Sequence, residues 1–205
     1  LGNGDTWPGL WFYWGFQNRF GGNDELFKAI NEGGTYQSPS FIKAGELSQE
    51  LANKGYFTPD FNSYSGTDKY TVFTQGNGAM IYQGTWMLGN IKDQAPADFE
   101  FDFFIFPSFA DGNPSSQGDI MAGIDAMWIS TKTKYPEIAA EYLNGFADPE
   151  RALEFVVNTQ NIPAVKSVTA PAGQENDVLW RMAVLTANAS GVSPWWDISA
   201  LPPAV

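Results

Sequence analysis

The sequence predicts an α/β protein. Helix-start signals open amphipathic stretches again and again, and short apolar or alternating runs bounded by glycine, proline and asparagine lie between them. No internal repeat and no low-complexity tract interrupts that alternation.

Asp5-Thr6-Trp7-Pro8 reads as the first helix start, with Thr6 or Asp5 as cap and Pro8 in the first turn. Trp7, Leu10, Trp11 and Trp14 follow at helical spacing, and Gly21-Gly22 is expected to stop the run. A short helix is predicted over Asp24–Asn31. Another opens at Ser38-Pro39 and stops at Lys54-Gly55, with Phe41, Leu47, Leu51 and Ala52 inward. Asp68–Gln75 is a further helix.

Ala79–Gln83 is apolar and flanked by glycines, so a buried strand is predicted, followed by a short helix over Trp86–Lys92. Phe99, Phe101 and Phe103 alternate with Glu100 and Asp102, the pattern of a half-buried strand. Pro107–Asp119 is a loop, and Ile120–Ser130 a strand interrupted by Gly123. Pro136–Phe146 is an amphipathic helix carrying Ile138, Ala139, Tyr142, Leu143 and Phe146 on one side. Asp148-Pro149-Glu150 caps the next helix, through about Asn158. Glu175–Ala187 is helical, and the proline-rich stretch from Ser190 to Val205 irregular.

Composition narrows function. Lys plus Arg is 11 against 23 Asp plus Glu, a net charge of −12, so the clustered cations that phosphate binding requires are absent and nucleic acid is not an expected partner. With no cysteine and no histidine, disulfides, thiol catalysis, Ser-His-Asp chemistry and the commonest zinc ligand are excluded. No apolar stretch approaches the roughly 20 residues a membrane-spanning helix needs. The chain opens Leu1-Gly2-Asn3-Gly4, with no initiator Met or signal segment, and is expected to be a piece of a longer protein. No Gly-rich phosphate loop is present, and Asp111-Gly112-Asn113 lacks the spacing and terminal Glu of a calcium loop, so neither a cofactor nor a metal is expected.

Eight tryptophans are left to explain. Large aromatics dominate cores, and Trp11 and Trp14 at helical spacing, Trp128 in a strand and Trp180 in a helix are expected there. A flat aromatic face also matches the C–H face of a sugar. Carbohydrate chemistry brings in two alternatives. A glycoside hydrolase needs two carboxylates roughly 5–10 Å apart, for which Asp119, Asp125 and Asp197 are the candidates. A non-catalytic carbohydrate-binding module is usually a β-sandwich, which the capped helices disfavour.

The segment Phe73-Thr74-Gln75-Gly76-Asn77-Gly78-Ala79-Met80-Ile81-Tyr82-Gln83-Gly84-Thr85-Trp86 resembles a signature of the family 1 extracellular solute-binding proteins, the sugar-capturing subunits of bacterial ABC importers. Gly123-Ile124-Asp125-Ala126-Met127-Trp128-Ile129-Ser130, the helix from Lys134 to Leu143, Asp148-Pro149-Glu150, Asn161-Ile162-Pro163-Ala164-Val165, and Trp196-Asp197 before Leu201-Pro202-Pro203 are similar to later landmarks of that family in the same order. The resemblance covers nearly the whole chain but only the middle and later part of the family's length. It implies a periplasmic-binding-protein-like fold, with 1–122 and 165–205 in the C-terminal lobe and 123–164 in the N-terminal lobe. It also implies a monomeric, non-enzymatic carbohydrate-binding protein, periplasmic or lipid-anchored at a bacterial cell surface, that delivers its ligand to permease subunits. Mapped residue by residue, it makes Trp86 a sugar-stacking ring and Trp7 a cleft aromatic. Gly123 and Asp125 would offer backbone N–H groups and a carboxylate, and Trp195, Trp196 and Asp197 would complete the ligand set.

Overall fold

The computed structural model describes residues 2–32, 35–123 and 126–195. Asp125, Trp196 and Asp197 therefore lie outside the described residues. Seven α-helices are described: α1 (Trp7–Asn31), α2 (Pro39–Asn53), α3 (Asp68–Thr74), α4 (Met87–Gln94), α5 (Pro136–Gly145), α6 (Pro149–Thr159) and α7 (Val178–Ala187). Two short strands, β1 (Ile120–Ala122) and β2 (Val192–Pro194), pair in parallel with Ile120 opposite Val192, Met121 opposite Ser193 and Ala122 opposite Pro194. A parallel pair needs a long connection, and α5, α6 and α7 all fall within it. No helix among the described residues is long and apolar enough to cross a membrane.

Every predicted helix forms, with two corrections at the ends. Neither Thr6 nor Asp5 caps α1 through its side chain: Thr6 sits at φ 64° and makes no cap bond. Asn3 takes that role, its Oδ1 accepting from the Gly9 N–H at 2.8 Å while its carbonyl accepts from Thr6 N–H at 2.9 Å. Gly21-Gly22 also does not stop the run. Gly22 adopts φ 67° and ψ −172°, a conformation open to glycine, and the helix resumes past this kink to Asn31. Asp148 caps α6 as expected, accepting from Arg151 N–H at 3.0 Å, and left-handed Gln160 ends it.

The strands depart further from expectation. Ala79–Gln83 and Phe99–Phe103 are not in a hydrogen-bonded ladder, and the predicted strand over Ile120–Ser130 reduces to Ile120–Ala122. Phe99, Phe101 and Phe103 are nevertheless half-buried while Glu100 and Asp102 are exposed. The period-2 pattern thus specifies which side chains turn inward, whereas a strand also needs a neighbour to pair with. Part of the stretch expected to be irregular, Val192–Pro194, is the partner of β1.

Two compact units divide the chain. The first comprises Leu1–Gln83, Gln94–Gly123 and Ala189–Val205; the second comprises Gly84–Asp93 and Ile124–Asn188. In the first, α1 packs on α2 around Trp14, Leu26, Ala29 and Phe41, with Leu10, Tyr13, Ile30 and Met121 against them. The Trp14 indole N–H donates to Ser193 Oγ at 2.8 Å, tying this core to β2. A second aromatic cluster joins Phe12, Phe16, Phe57, Tyr82 and Phe106, mostly edge to face.

Beside these cores lies a buried cation. Arg19 is fully buried and donates to the carbonyls of Phe106, Pro107, Ser116 and Asp119 and to Asn18 Oδ1, at 2.7 to 3.1 Å. Burial lowers its pKa, and the Asp119 carboxylate opposes that shift. Asp119 in turn accepts from Asn18 Nδ2 and from Ser190 Oγ.

In the second unit the buried residues are apolar: Met87, Leu88, Ile91, Ala152, Val156, Val168, Leu179 and Trp180. Trp180 is core as predicted, but Trp128, expected in a buried strand, is 88% exposed because the segment around it forms no ladder. Helix α5 buries none of its residues; Ile138 and Tyr142, expected inward, are exposed.

Candidate functional site

Three of the predicted site residues meet in the first unit. Trp7 and Trp11 stand one turn apart on α1, and their rings pack at 4.4 Å between centroids. Trp11 then meets Trp195, just beyond β2, at 5.3 Å and 30° between planes. Trp195 rests on Gly123, the residue after β1, where an added Cβ would come within 2.5 Å of the ring. The parallel pairing of β1 and β2 is what carries Gly123 and Trp195 to the same place from positions 72 residues apart.

The result is a run of three indoles. Trp11 in the middle is buried, whereas Trp7 and Trp195 at the ends are half-buried. Both end residues are therefore partly accessible, and each ring packs on the central one. Such a run presents apolar ring surface.

Lys69 finishes one end. Its Nζ lies over the Trp7 ring, 4.0 Å from the centroid, and 5.5 Å from that of Tyr70. The residue is 5% exposed, and its ammonium has no hydrogen-bond acceptor among the described residues. Burial lowers the Lys69 pKa, and Asp5 partly restores it. One face of Trp7 is thus occupied by a cation. Sequence carried no signal for this contact, since Lys69 reads only as a residue of α3.

Trp86 lies in the second unit, one residue before α4, and is half-buried. Its carbonyl accepts from Asn90 Nδ2 at 3.1 Å. Its six-membered ring rests against Gly84, where an added Cβ would lie 2.6 Å from Cε3 and closer still to Cζ3 and Cη2.

Of the three carboxylates read from the sequence, one is described. Asp119 belongs to the buried Arg19 network, while Asp125 and Asp197, like Trp196, lie outside the described residues. Asp111-Gly112-Asn113 is a turn: Asn113 Oδ1 accepts from the N–H and hydroxyl of Ser115, and its N–H donates to Arg19 O. No cluster of acidic side chains able to hold a metal occurs among the described residues. Thr58, Tyr64, Lys69, Val72, Phe73 and Met80 line a partly open depression on the first unit, and none of the predicted site residues lines it.

The chain as a whole is similar to known proteins. Residues 3–182 match the family model described as bacterial extracellular solute-binding protein. The multiple sugar-binding protein of Streptococcus mutans is 28% identical over 148 residues, which is 72% of this chain and 34% of that protein. Two solved structures share the fold. One, from work on xylan utilization by the thermophilic bacterium Caldanaerobius polysaccharolyticus, superposes with a TM-score of 0.81 at 24% identity, over 99% of this chain and 52% of the other. The second, a chitin oligosaccharide binding protein, gives 0.78 at 19% identity over 99% and 50%. The chain spans about half the length of these structures and about a third of the curated relative.

Proposed function

Because the chain belongs to the bacterial extracellular solute-binding proteins, we propose that it captures a sugar or oligosaccharide outside the cytoplasm and delivers it to the permease subunits of an ABC importer. The observation that carries the carbohydrate part is the ordered run Trp7–Trp11–Trp195, with half-buried rings at its two ends. The sugar-binding name of the curated relative supports the same ligand class.

The action is capture rather than chemistry. Trp7, Trp86 and Trp195 withdraw sugar C–H surface from water, while Asp125 and Asp197 accept from hydroxyls and Gly123 donates through its backbone. Trp196 adds a further ring. Micromolar affinity requires about 8 kcal/mol, a quantity that two stacked rings and several hydrogen bonds supply. Ligand binds in a cleft that closes by lobe motion, with 1–122 and 165–205 in one lobe and 123–164 in the other. The protein works as a monomer, in the periplasm or held at the cell surface by a lipid anchor.

A thermal-shift screen of mono- and oligosaccharides on the full-length protein tests this reading, because a ligand of the folded state raises the melting temperature by mass action. At least one oligosaccharide is expected to raise it in a concentration-dependent way, and Trp86→Ala to weaken that binding at least tenfold. Absence of any shift across xylo-, chito- and malto-oligosaccharides overturns the ligand class. Turnover of a chromogenic glycoside replaces capture with hydrolysis.

A further inference from the structure

Two tryptophans of the proposed ligand set share one local device. The ring of Trp86 rests against Gly84, and the ring of Trp195 against Gly123. At Gly123 an added Cβ would meet the ring-fusion atoms Cδ2 and Cε2 and the adjacent Cε3 at 2.5, 2.6 and 2.7 Å. Three nearly equal distances mean that the glycine lies under the face of the indole rather than at its edge. At Gly84 three atoms of the six-membered ring are met in the same way, all nearer than a real Cβ tolerates. Neither glycine has a positive φ, so left-handed backbone does not call for them. The close approach of a ring does.

We propose that Gly84 is a positioning residue for carbohydrate binding, its bare Cα forming the seat that holds the Trp86 indole in its binding orientation, and that Gly123 seats Trp195 in the same way. The proposal rests on the reading that these two rings contact the ligand. An indole laid on backbone gains dispersion contact along one face and loses rotamer freedom before any ligand arrives. The entropic cost of ordering the ring is then met on folding instead of on binding. Gly123 accordingly acts through Trp195 in addition to any N–H it offers a hydroxyl. A methyl group at either glycine lifts the ring and turns it, while the rest of the contact surface stays unchanged.

The test is a set of variants of the full-length protein titrated by calorimetry with xylotriose, chitotriose and maltotriose: Gly84→Ala, Trp86→Ala, the two together, and Gly84→Ala with Trp86→Phe. Gly84→Ala is expected to weaken binding about tenfold. Adding it to Trp86→Ala is expected to change nothing further, since the ring it displaces is gone. The smaller phenyl ring is expected to leave room for the methyl group, so Trp86→Phe relieves part of the Gly84→Ala defect, including any loss of folding. Unchanged affinity in Gly84→Ala alongside a weakened Trp86→Ala overturns the seat. So do additive losses in the double variant, or a defect that Trp86→Phe does not relieve. Unchanged affinity in Trp86→Ala is a different result: it removes the ring from the ligand set and takes the proposal down with it.

Discussion

The two units are held together in different ways. In the first, Asn18, Arg19, Ser116, Asp119 and Ser193 are buried and hydrogen-bonded beside the aromatic core. In the second, among the described residues, everything buried is apolar, and α5 buries nothing. Apolar contact is non-directional, so it tolerates several packings of similar energy. A satisfied polar network accepts few, because each displaced donor or acceptor loses its partner in a low-dielectric setting. The contrast teaches where this chain specifies a single geometry: around Arg19, one side of which abuts the strand pair that brings Gly123 and Trp195 together.

The largest expected break of the comparison sets one core side chain against one exposed one. Trp14→Ala in the first unit removes a fully buried indole and its bond to Ser193, and is expected to cost about 3–5 kcal/mol in urea unfolding. Ile138→Ala on α5 is expected to change stability by no more than about 0.5 kcal/mol, since the side chain is 64% exposed. Equal losses at the two positions erase the distinction.

Asp119→Asn probes the polar network itself. It leaves the Arg19 cation buried without its balancing carboxylate, and about 3 kcal/mol of destabilisation is expected by the same measurement. A loss below about 1 kcal/mol means that the carbonyl acceptors alone satisfy the guanidinium.

The smallest effect is a pH dependence. Burial holds the Lys69 pKa below the ordinary lysine value of 10.5. In the window between the lowered value and 10.5 the unfolded chain keeps a proton that the folded chain has released, so this residue makes stability rise with pH there. Melting curves collected across that window for the parent and for Lys69→Met are expected to diverge in slope, the parent gaining on the variant as pH increases. Parallel slopes place the ammonium in water.

The parts legible in sequence were local ones. The Ser38-Pro39 and Asp148-Pro149 starts, and Trp7 with Trp11 one turn apart, need only neighbours within a few residues. The Gly-x-Trp of Gly84 and Trp86 was legible as a motif but not as a ring on a glycine. Strands were read worst, because alternation at Phe99–Phe103 describes a face, whereas a ladder depends on a partner elsewhere in the chain. Asn3 displaced the expected caps for a similar reason: its position depends on bonds to Phe61 and Asn62, far along the chain. Lys69 over Trp7 and Trp195 against Trp11 are likewise distant pairings with no periodic signature.

Of the five acceptors around Arg19, four are main-chain carbonyls, those of Phe106, Pro107, Ser116 and Asp119. Every amino acid carries that same oxygen. At those four positions the arginine grips the chain through an atom that no substitution removes, whereas the Phe106 ring and the Asp119 carboxylate add contacts that only those side chains supply. Descendants of this chain are expected to guard the arginine together with Asp119, and to vary more freely at the exposed Pro107, which is gripped through its carbonyl.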